Sequence, residues 1–184
     1  MEEKDLAQAV PAKQQIPENE RVPLKEKIFY GMGALMDGGG VALMSCVMLN
    51  YMTDHLKIYA ASASTVMMIS KIWDAITDPV MGHVTDNTRS KYGRRKPYMF
   101  VGGFLLIIAL LLLFAPIREW GITSQAGMVA YVLIFYMIWN TCSTITQVPY
   151  TSMASDISPS FEERNRANTV KLVFSAVAAG LAYV

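Results

Sequence analysis

Four polar side chains follow one face of an otherwise apolar segment. Lys71, Asp74 and Asp78 are spaced three and then four residues apart, so a helix places them on one stripe. Thr77 lies beside both aspartates, and together these oxygens suit a cation, while the lysine can offset their charge when no cation is bound. The pattern predicts a site for Na+ or a proton and no other metal. The alternative is a buried ion pair that only joins helices.

A second stripe consists of uncharged polar residues. Its members are spaced four, three and four residues apart: Asn140, Thr144, Gln147 and Thr151. Amide and hydroxyl groups both donate and accept hydrogen bonds, as the hydroxyls of a polyhydroxylated solute require. The stripe therefore predicts a binding surface for such a solute. Alternatively, the same groups form hydrogen bonds between neighbouring helices.

Two further charges fall inside apolar segments. Asp37 is surrounded by glycines at positions 31, 33, 38, 39 and 40, and Lys171 is a single charge near the end of the chain. Glycines allow helices to approach closely, and they also weaken a helix and free its backbone groups. We expect Asp37 to face a cavity or a partner, or else to border an ordinary glycine packing face.

The segments that carry these residues are long and apolar enough to cross a bilayer. Residues 98–117 and 120–155 contain no Asp, Glu, Lys or Arg, and about 20 apolar residues cross a hydrocarbon core. A charge at the bilayer centre costs about 2.5–3.5 kcal/mol on insertion scales, so charges in such segments are usually functional. The sequence predicts an all-α, polytopic helical membrane protein with spans at about 28–53, 61–84, 98–116, 127–150 and 167–184.

The distribution of basic residues predicts the orientation. Residues 1–27 and the connection at residues 85–97 each contain five Lys or Arg, whereas the other short connections contain few. By the positive-inside rule both segments are cytoplasmic. We therefore expect a multi-pass protein of the cell membrane, with a flexible cytoplasmic tail at residues 1–24. The bilayer is an expected partner, and the net charge of +1 gives no reason to expect nucleic acid.

Four blocks of sequence form a set with a definite order and spacing. They are residues 30–34 (Tyr-Gly-Met-Gly-Ala), 73–82 (Trp-Asp-Ala-Ile-Thr-Asp-Pro-Val-Met-Gly), 88–97 (Thr-Arg-Ser-Lys-Tyr-Gly-Arg-Arg-Lys-Pro) and 147–150 (Gln-Val-Pro-Tyr). Residues 24–184 thereby resemble the glycoside-pentoside-hexuronide:cation symporters of the major facilitator superfamily. The resemblance implies twelve helices in two six-helix halves, with a sugar and Na+, Li+ or H+ bound between them. Residues 25–184 would then be the first five transmembrane helices, and the carboxyl-terminal half a missing partner.

The resemblance also implies roles on the cation side. Asp74 and Asp78 match the cation-site carboxylates of the family, and Thr77 stands where an Asn ligand can occur. Thr144 matches a further hydroxyl on the cation side. Lys71 stands at a position that is often Arg and is expected to balance the charge of the site.

On the sugar side, Asp37 falls at or beside a polar pair of the first span, and Lys171 stands where Arg is frequent. Gln147 replaces an Asp, and Thr151 replaces a Trp, of a well-known galactoside carrier in the family. The resemblance therefore leaves a pentoside, a hexuronide or another glycoside open as the substrate. With Asn140 from the polar stripe, these residues are the predicted substrate-binding set.

The connection after the second span resembles a cytoplasmic motif of the superfamily that couples conformations through charge contacts. Its members here are Gly82, Asp86, Gly93, Arg94 and Arg95. The alternative is that its basic residues only set the topology.

The predicted activity is cation-coupled symport of a sugar or glycoside, with Na+ or H+ as the coupling ion, no cofactor and no catalysis. Because five spans hardly form a closed path, the chain is expected to be part of a longer protein or an assembling subunit. One alternative is a truncated or structural membrane subunit without transport of its own. Another is an intramembrane prenyltransferase in which Asp74 and Asp78 hold Mg2+, although such sites need several acidic groups at a helix end.

Overall fold

The chain forms five helices along the part described by the computed structural model, which covers residues 22–91, 93–153, 158 and 160–182, with only the backbone of Asp37. They are α1 (Leu24–His55), α2 (Ala60–Asn87), α3 (Lys96–Leu113), α4 (Gln125–Ser152) and α5 (Phe161–Ala182). No strand occurs within these residues. The predicted all-α class is therefore confirmed. The predicted tail at 1–24 lies outside the described residues except for positions 22–24.

The first helix changes its winding three times along its length. Two α-helical segments, Leu24–Ala34 and Val41–Asn50, alternate with π-helical segments at Leu35–Gly40 and Tyr51–His55. The first π segment contains the sequence Asp-Gly-Gly-Gly, where glycine lowers the preference for a regular α-helix. The wider turn thus falls where the sequence predicts a weakened helix.

The glycines of α1 bring its backbone against α5. A Cβ atom added at Gly38 would lie 2.0 Å from Ser175 Oγ and 2.9 Å from its Cα, and one at Gly39 would lie 2.8 Å from Ala178 Cβ. Only residues without a side chain allow so close an approach. Part of the glycine group is therefore a helix-packing face.

The third helix is largely uncovered. Phe100 is 82% exposed and Leu111 is 70% exposed, while Gly102 rests on α4, where an added Cβ would lie 2.8 Å from Ile145 Cγ2. The helices α1, α3 and α4 are each long and apolar enough to cross a membrane. Exposed apolar side chains on such helices form a surface suited to lipid.

Two apolar clusters hold the helices together. The larger one lies towards the α1–α2 connection and includes Met48, Met52 and Val132, and the smaller one joins Tyr30 to Tyr150 near the amino end of α1. Between these clusters, α2 and α4 face each other with the polar stripes predicted from the sequence. The packing thus places polar residues of two helices side by side.

Candidate functional site

A cavity of about 180 Å3 lies between α1, α2 and α4, and we call it the polar cavity. It is lined by Val41 and Ser45 from α1, by Lys71, Asp74 and Asp78 from α2, and by Tyr136, Trp139, Asn140, Ser143, Thr144 and Gln147 from α4. The three- and four-residue spacing of a helical face brings these side chains to one side of each helix. Both predicted stripes therefore meet in one space.

The α2 wall contains an ion pair with one carboxylate oxygen left over. Lys71 Nζ lies 3.1 Å from Asp74 Oδ2. The lysine side chain is 59% exposed, whereas that of Asp74 is only 20% exposed. Asp74 Oδ1 is buried and has no hydrogen-bond partner within the described part of the chain. The lysine thus balances the charge at Oδ2, and Oδ1 can still accept a hydrogen bond or bind a cation.

The second carboxylate is joined to the facing helix. Thr144 Oγ1 donates a hydrogen bond to Asp78 Oδ1 across 2.9 Å, and Trp73 Nε1 donates to Thr141 Oγ1 across 2.9 Å. Two polar contacts therefore join α2 and α4 at neighbouring levels. The structure brings the predicted pair Asp78 and Thr144 into direct contact, and the two aspartates have different partners.

Thr77 occupies a different position from the two carboxylates. Its hydroxyl donates to the backbone carbonyl of Asp74 across 3.3 Å, and its side chain is not part of the cavity lining. Hydroxyls within helices commonly form such local bonds. The hydroxyl that contacts a carboxylate of α2 is therefore that of Thr144 on α4.

The α4 wall contains more site residues than the sequence pattern indicated. Asn140 and Gln147 line the polar cavity as predicted, but so do Tyr136, Trp139 and Ser143. Tyr136 precedes Asn140 by four residues, so the stripe continues by one further turn. The sequence does contain a signal for the two aromatic residues, because a tyrosine or tryptophan in a polar stripe carries its own hydrogen-bonding group.

Three predicted substrate residues lie elsewhere or outside the description. Thr151 donates to the carbonyl of Val148 across 3.0 Å and lines another cavity, beside Arg95. Lys171 Nζ lies 5.0 Å from the ring centroid of Tyr150, which is a cation–π distance. The side chain of Asp37 is outside the described residues, and its backbone belongs to the π segment of α1.

The cytoplasmic motif predicted from the sequence joins the α2–α3 connection to the end of α4. Arg95 is buried, its Nη2 lies 3.9 Å from Asp86 Oδ1, and its Nη1 donates to the carbonyl of Ser152. Gly93 has a φ of 95°, a conformation that glycine adopts without strain. The remaining members are Gly82, where an added Cβ would make only an ordinary contact with Val148, and the exposed Arg94.

A buried carboxylate fixes the amino end of α1. Glu163 lies 2.5 Å from Lys27 Nζ and 3.2 Å from Arg166 Nη1, and it accepts a hydrogen bond from the backbone N–H of Val22 across 3.1 Å. Chiefly because the Lys27 ammonium donates to it, the pKa of Glu163 is lowered, against the opposing effect of burial. From the sequence alone, Lys27 is only one of the basic residues of positions 1–27, and no role is predicted for Glu163 or Arg166.

An apolar cavity adjoins the polar one. It measures about 580 Å3, lies between α1, α3 and α4, and is lined mainly by Met, Leu, Val and aromatic side chains. Four residues belong to both cavities: Val41, Trp139, Ser143 and Gln147. A polar and an apolar space are thus separated by a single layer of side chains.

A family model and several curated relatives match this chain, and their descriptions agree with one another. The model of the family described as MFS/sugar transport protein matches residues 29–184. An uncharacterized symporter of Synechocystis is 34% identical over 85% of this chain and 29% of its own length. The glucuronide carrier protein homolog of Escherichia coli is 25% identical over 90% of this chain and 35% of its own length. The sodium-dependent lysophosphatidylcholine symporter 1 of Mus musculus is 28% identical over 89% of this chain and 31% of its own length.

The chain therefore spans about a third of the length of these relatives. All three are named as symporters or carriers. The matched region contains the whole lining of the polar cavity.

Proposed function

Because the chain belongs to the glycoside-pentoside-hexuronide:cation symporter family of the major facilitator superfamily, we propose that it forms the amino-terminal part of a sugar or glycoside transporter. This multi-pass membrane protein would couple substrate movement to the entry of Na+ or H+. The observation that carries the proposal is the contact between Asp78 and Thr144, which joins an acidic helix to a helix with uncharged polar groups.

The acidic groups support binding of a coupling cation. Asp74 Oδ1 has no partner among the described residues, and the Thr144 hydroxyl can turn its lone pairs towards a cation that approaches Asp78. Lys71 would move away from Asp74 as the cation binds, because the ammonium and a cation on the same carboxylate repel each other. Asp74, Asp78 and Thr144 are thus the proposed cation ligands. Thr77 would fix the local backbone.

The α4 wall supports coupling between cation and substrate. Asn140 and Gln147 lie on the same face as Thr144, one helical turn to either side. A cation that moves Thr144 therefore changes the surface on which the substrate binds. By linkage, the substrate must then strengthen cation binding by the same factor as the cation strengthens substrate binding.

The exposed charges of α2 support the proposal that further helices cover this surface. Lys71 and Asp78 are exposed on a helix of a membrane protein, and lipid does not accommodate such groups at low cost. In the family fold a second half faces this surface across the substrate path. We therefore propose the carboxyl-terminal half as the partner, in the cytoplasmic membrane, with the basic amino-terminal segment inside.

Uptake into membrane vesicles tests the proposal. Vesicles with the protein expressed from its complete gene are given a labelled neutral glycoside, a pentoside or a glucuronide under an imposed Na+ gradient, a proton gradient or no gradient. One of these sugars is expected to accumulate only with a gradient. Asp78→Asn should abolish that accumulation, whereas the matched control Asp54→Asn, at an exposed carboxylate in the last turn of α1, should retain it. Accumulation that is unchanged in Asp78→Asn would refute the proposed cation site.

A second candidate is transport of an amphiphilic solute. It is favoured by the apolar cavity, which shares four lining residues with the polar cavity, and by the relative named as a lysophosphatidylcholine symporter. A single-chain amphiphile would place its polar head beside α2 and its apolar tail between α1 and α3. In the same vesicles, uptake of a labelled lysolipid, and no uptake of any sugar, would favour this candidate.

A further inference from the structure

Two neighbouring residues of α4 carry buried N–H groups without a partner in the described part of the chain. They are Trp139 Nε1 and Asn140 Nδ2, and the two residues are 7% and 4% exposed. Buried polar groups of native proteins nearly always have a hydrogen-bond partner, because an unpaired one is destabilising by about 1–3 kcal/mol. Two such donors next to each other therefore require an acceptor that this part of the chain does not supply.

Both residues line the polar cavity, and Trp139 also lines the apolar one. Trp139 and Asn140 line the polar cavity together with Thr144, which binds the carboxylate of Asp78. The indole of Trp139 is stacked on the ring of Tyr136, with centroids 5.9 Å apart and planes inclined by 8°. This stacking restrains the plane of the indole ring before any ligand binds.

We propose that Trp139 is a substrate-binding residue of this transporter, whose Nε1–H donates a hydrogen bond to a hydroxyl of the sugar beside Asn140 Nδ2. The inference rests on the proposed transport of a sugar or glycoside. An indole N–H is a donor only, so it requires an acceptor, and every hydroxyl of a sugar offers one. The ligand class is therefore a polyhydroxylated solute that presents at least two oxygen acceptors to α4.

An acceptor on another part of the protein is the competing explanation. In that case loss of the N–H would lower the stability of the protein and leave substrate affinity unchanged. The chain contains a suitable reference, because Trp73 Nε1 already donates to Thr141 Oγ1 and Trp73 is not part of the cavity lining. Trp73→Phe therefore shows what loss of an indole–protein hydrogen bond does.

The experiment compares wild type, Trp139→Phe and Trp73→Phe in the protein expressed from its complete gene. KM is measured for the transported sugar and for each of its monodeoxy analogues, and thermal unfolding is followed in detergent. Trp139→Phe is expected to raise KM for the sugar about 3- to 10-fold, as for loss of one hydrogen bond. For one analogue, which lacks the hydroxyl bound by the indole, wild type and variant should have equal KM. Trp73→Phe should leave all KM values unchanged.

Three results would overturn the inference. The first is an unchanged KM in Trp139→Phe, and the second is an equal loss for the sugar and all its analogues. In both cases uptake by the wild type would still support the proposed function. The third is a wild type that takes up no sugar, which would remove the proposed function as well. If Trp139→Phe does not fold, incorporation of benzothienylalanine at position 139 removes the N–H with almost no change in shape and allows the same comparison.

Discussion

The contact between α1 and α5 gives a prediction in which two neighbouring glycines must behave differently. In Gly38→Ala the new methyl group would lie 2.0 Å from Ser175 Oγ, 2.7 Å from the Ser175 carbonyl oxygen and 2.9 Å from its Cα. The hydroxyl can rotate away, but the backbone atoms cannot, so α5 must move. In Gly40→Ala the methyl group would meet no atom within 4 Å.

The magnitude follows from comparing the two variants. Overpacking in a close contact is destabilising by about 1–3 kcal/mol, and Gly→Ala within a helix is stabilising by up to about 1 kcal/mol. Because the two glycines lie in the same π segment, the stabilisation from replacing glycine by alanine is similar in both variants. It therefore largely cancels from the difference between them. The free energy of unfolding is therefore expected to be about 1–3 kcal/mol lower for Gly38→Ala than for Gly40→Ala.

Thermal unfolding of the purified protein in one detergent measures this difference. The expected order of midpoint temperatures is Gly40→Ala at or above wild type, and Gly38→Ala below both. Equal midpoints for the two variants would refute the close approach of α1 and α5. A compensating check is Ser175→Gly in the Gly38→Ala background, which removes the side chain but not the backbone contacts and should restore stability only in part.

Three further predictions concern other contacts of the chain. Thr144→Val removes a hydroxyl that we propose as a cation ligand, and a polar partner of a charged group is worth about 1.5–3 kcal/mol, so the half-saturating cation concentration for uptake should rise about tenfold or more, while Thr144→Ser should retain the wild-type value. The lowered pKa of Glu163 means that its stabilising contribution is complete above the unfolded value of about 4.3 and is lost as the pH falls through the folded value, so the unfolding midpoints of wild type and Glu163→Gln should keep their difference from pH 7 to about pH 4.3 and converge only below that pH. Gly93→Ala places a side chain at a φ of 95° and should lower the free energy of unfolding by about 1 kcal/mol, which denaturant titration can measure.

For each of these three predictions, one experimental outcome would contradict it. Equal cation dependence in Thr144→Val and Thr144→Ser would show that the hydroxyl is not part of the cation site. A midpoint difference for Glu163→Gln that grows as the pH falls below about 4.3 would mean that the carboxyl is not stabilised in its charged form. For Gly93, the control is Gly103→Ala, where φ is not positive and no atom lies within 4 Å of an added Cβ, and equal effects of the two variants would exclude backbone strain.

The sequence was sufficient for the contacts that depend on helical spacing. Asp74 and Asp78 lie on one stripe, and Asn140, Thr144 and Gln147 on another, so a period of 3.6 residues places each set on one face. That these faces meet follows from the need of polar groups within membrane helices to avoid lipid. The contact of Asp78 with Thr144 is a direct result of these two conditions.

The sequence does not decide whether a side chain such as an aromatic ring packs between helices or lines a cavity. Trp139 and Tyr136 look like packing residues, and only the folded chain shows that they line the polar cavity. Thr151 belongs to the same stripe as Gln147, yet it lies one turn further along α4 and borders another cavity. A helical face is continuous over many turns, whereas a cavity ends where neighbouring helices meet, and single-helix periodicity contains no information on that point.

Helix α5 begins earlier in the chain than the span predicted from hydropathy. The predicted span begins at about residue 167, but the helix begins at Phe161. Its first turn contains Glu162 and Glu163, which a hydropathy criterion excludes from a span. Acidic residues are nevertheless favourable at the amino end of a helix, where they interact with its dipole.

The position of Glu163 has a consequence for the order in which the protein is made. Glu163 binds the backbone of Val22, which precedes it by 141 residues. At a synthesis rate of about 5–20 residues per second, Lys27 waits on the order of 7–28 s for its partner. During this interval Lys27 and Glu163 cannot yet form their ion pair. The amino end of α1 is therefore fixed to α5 only after the fifth helix has begun to be made, so the first helix of the chain is among the last to gain its full set of contacts.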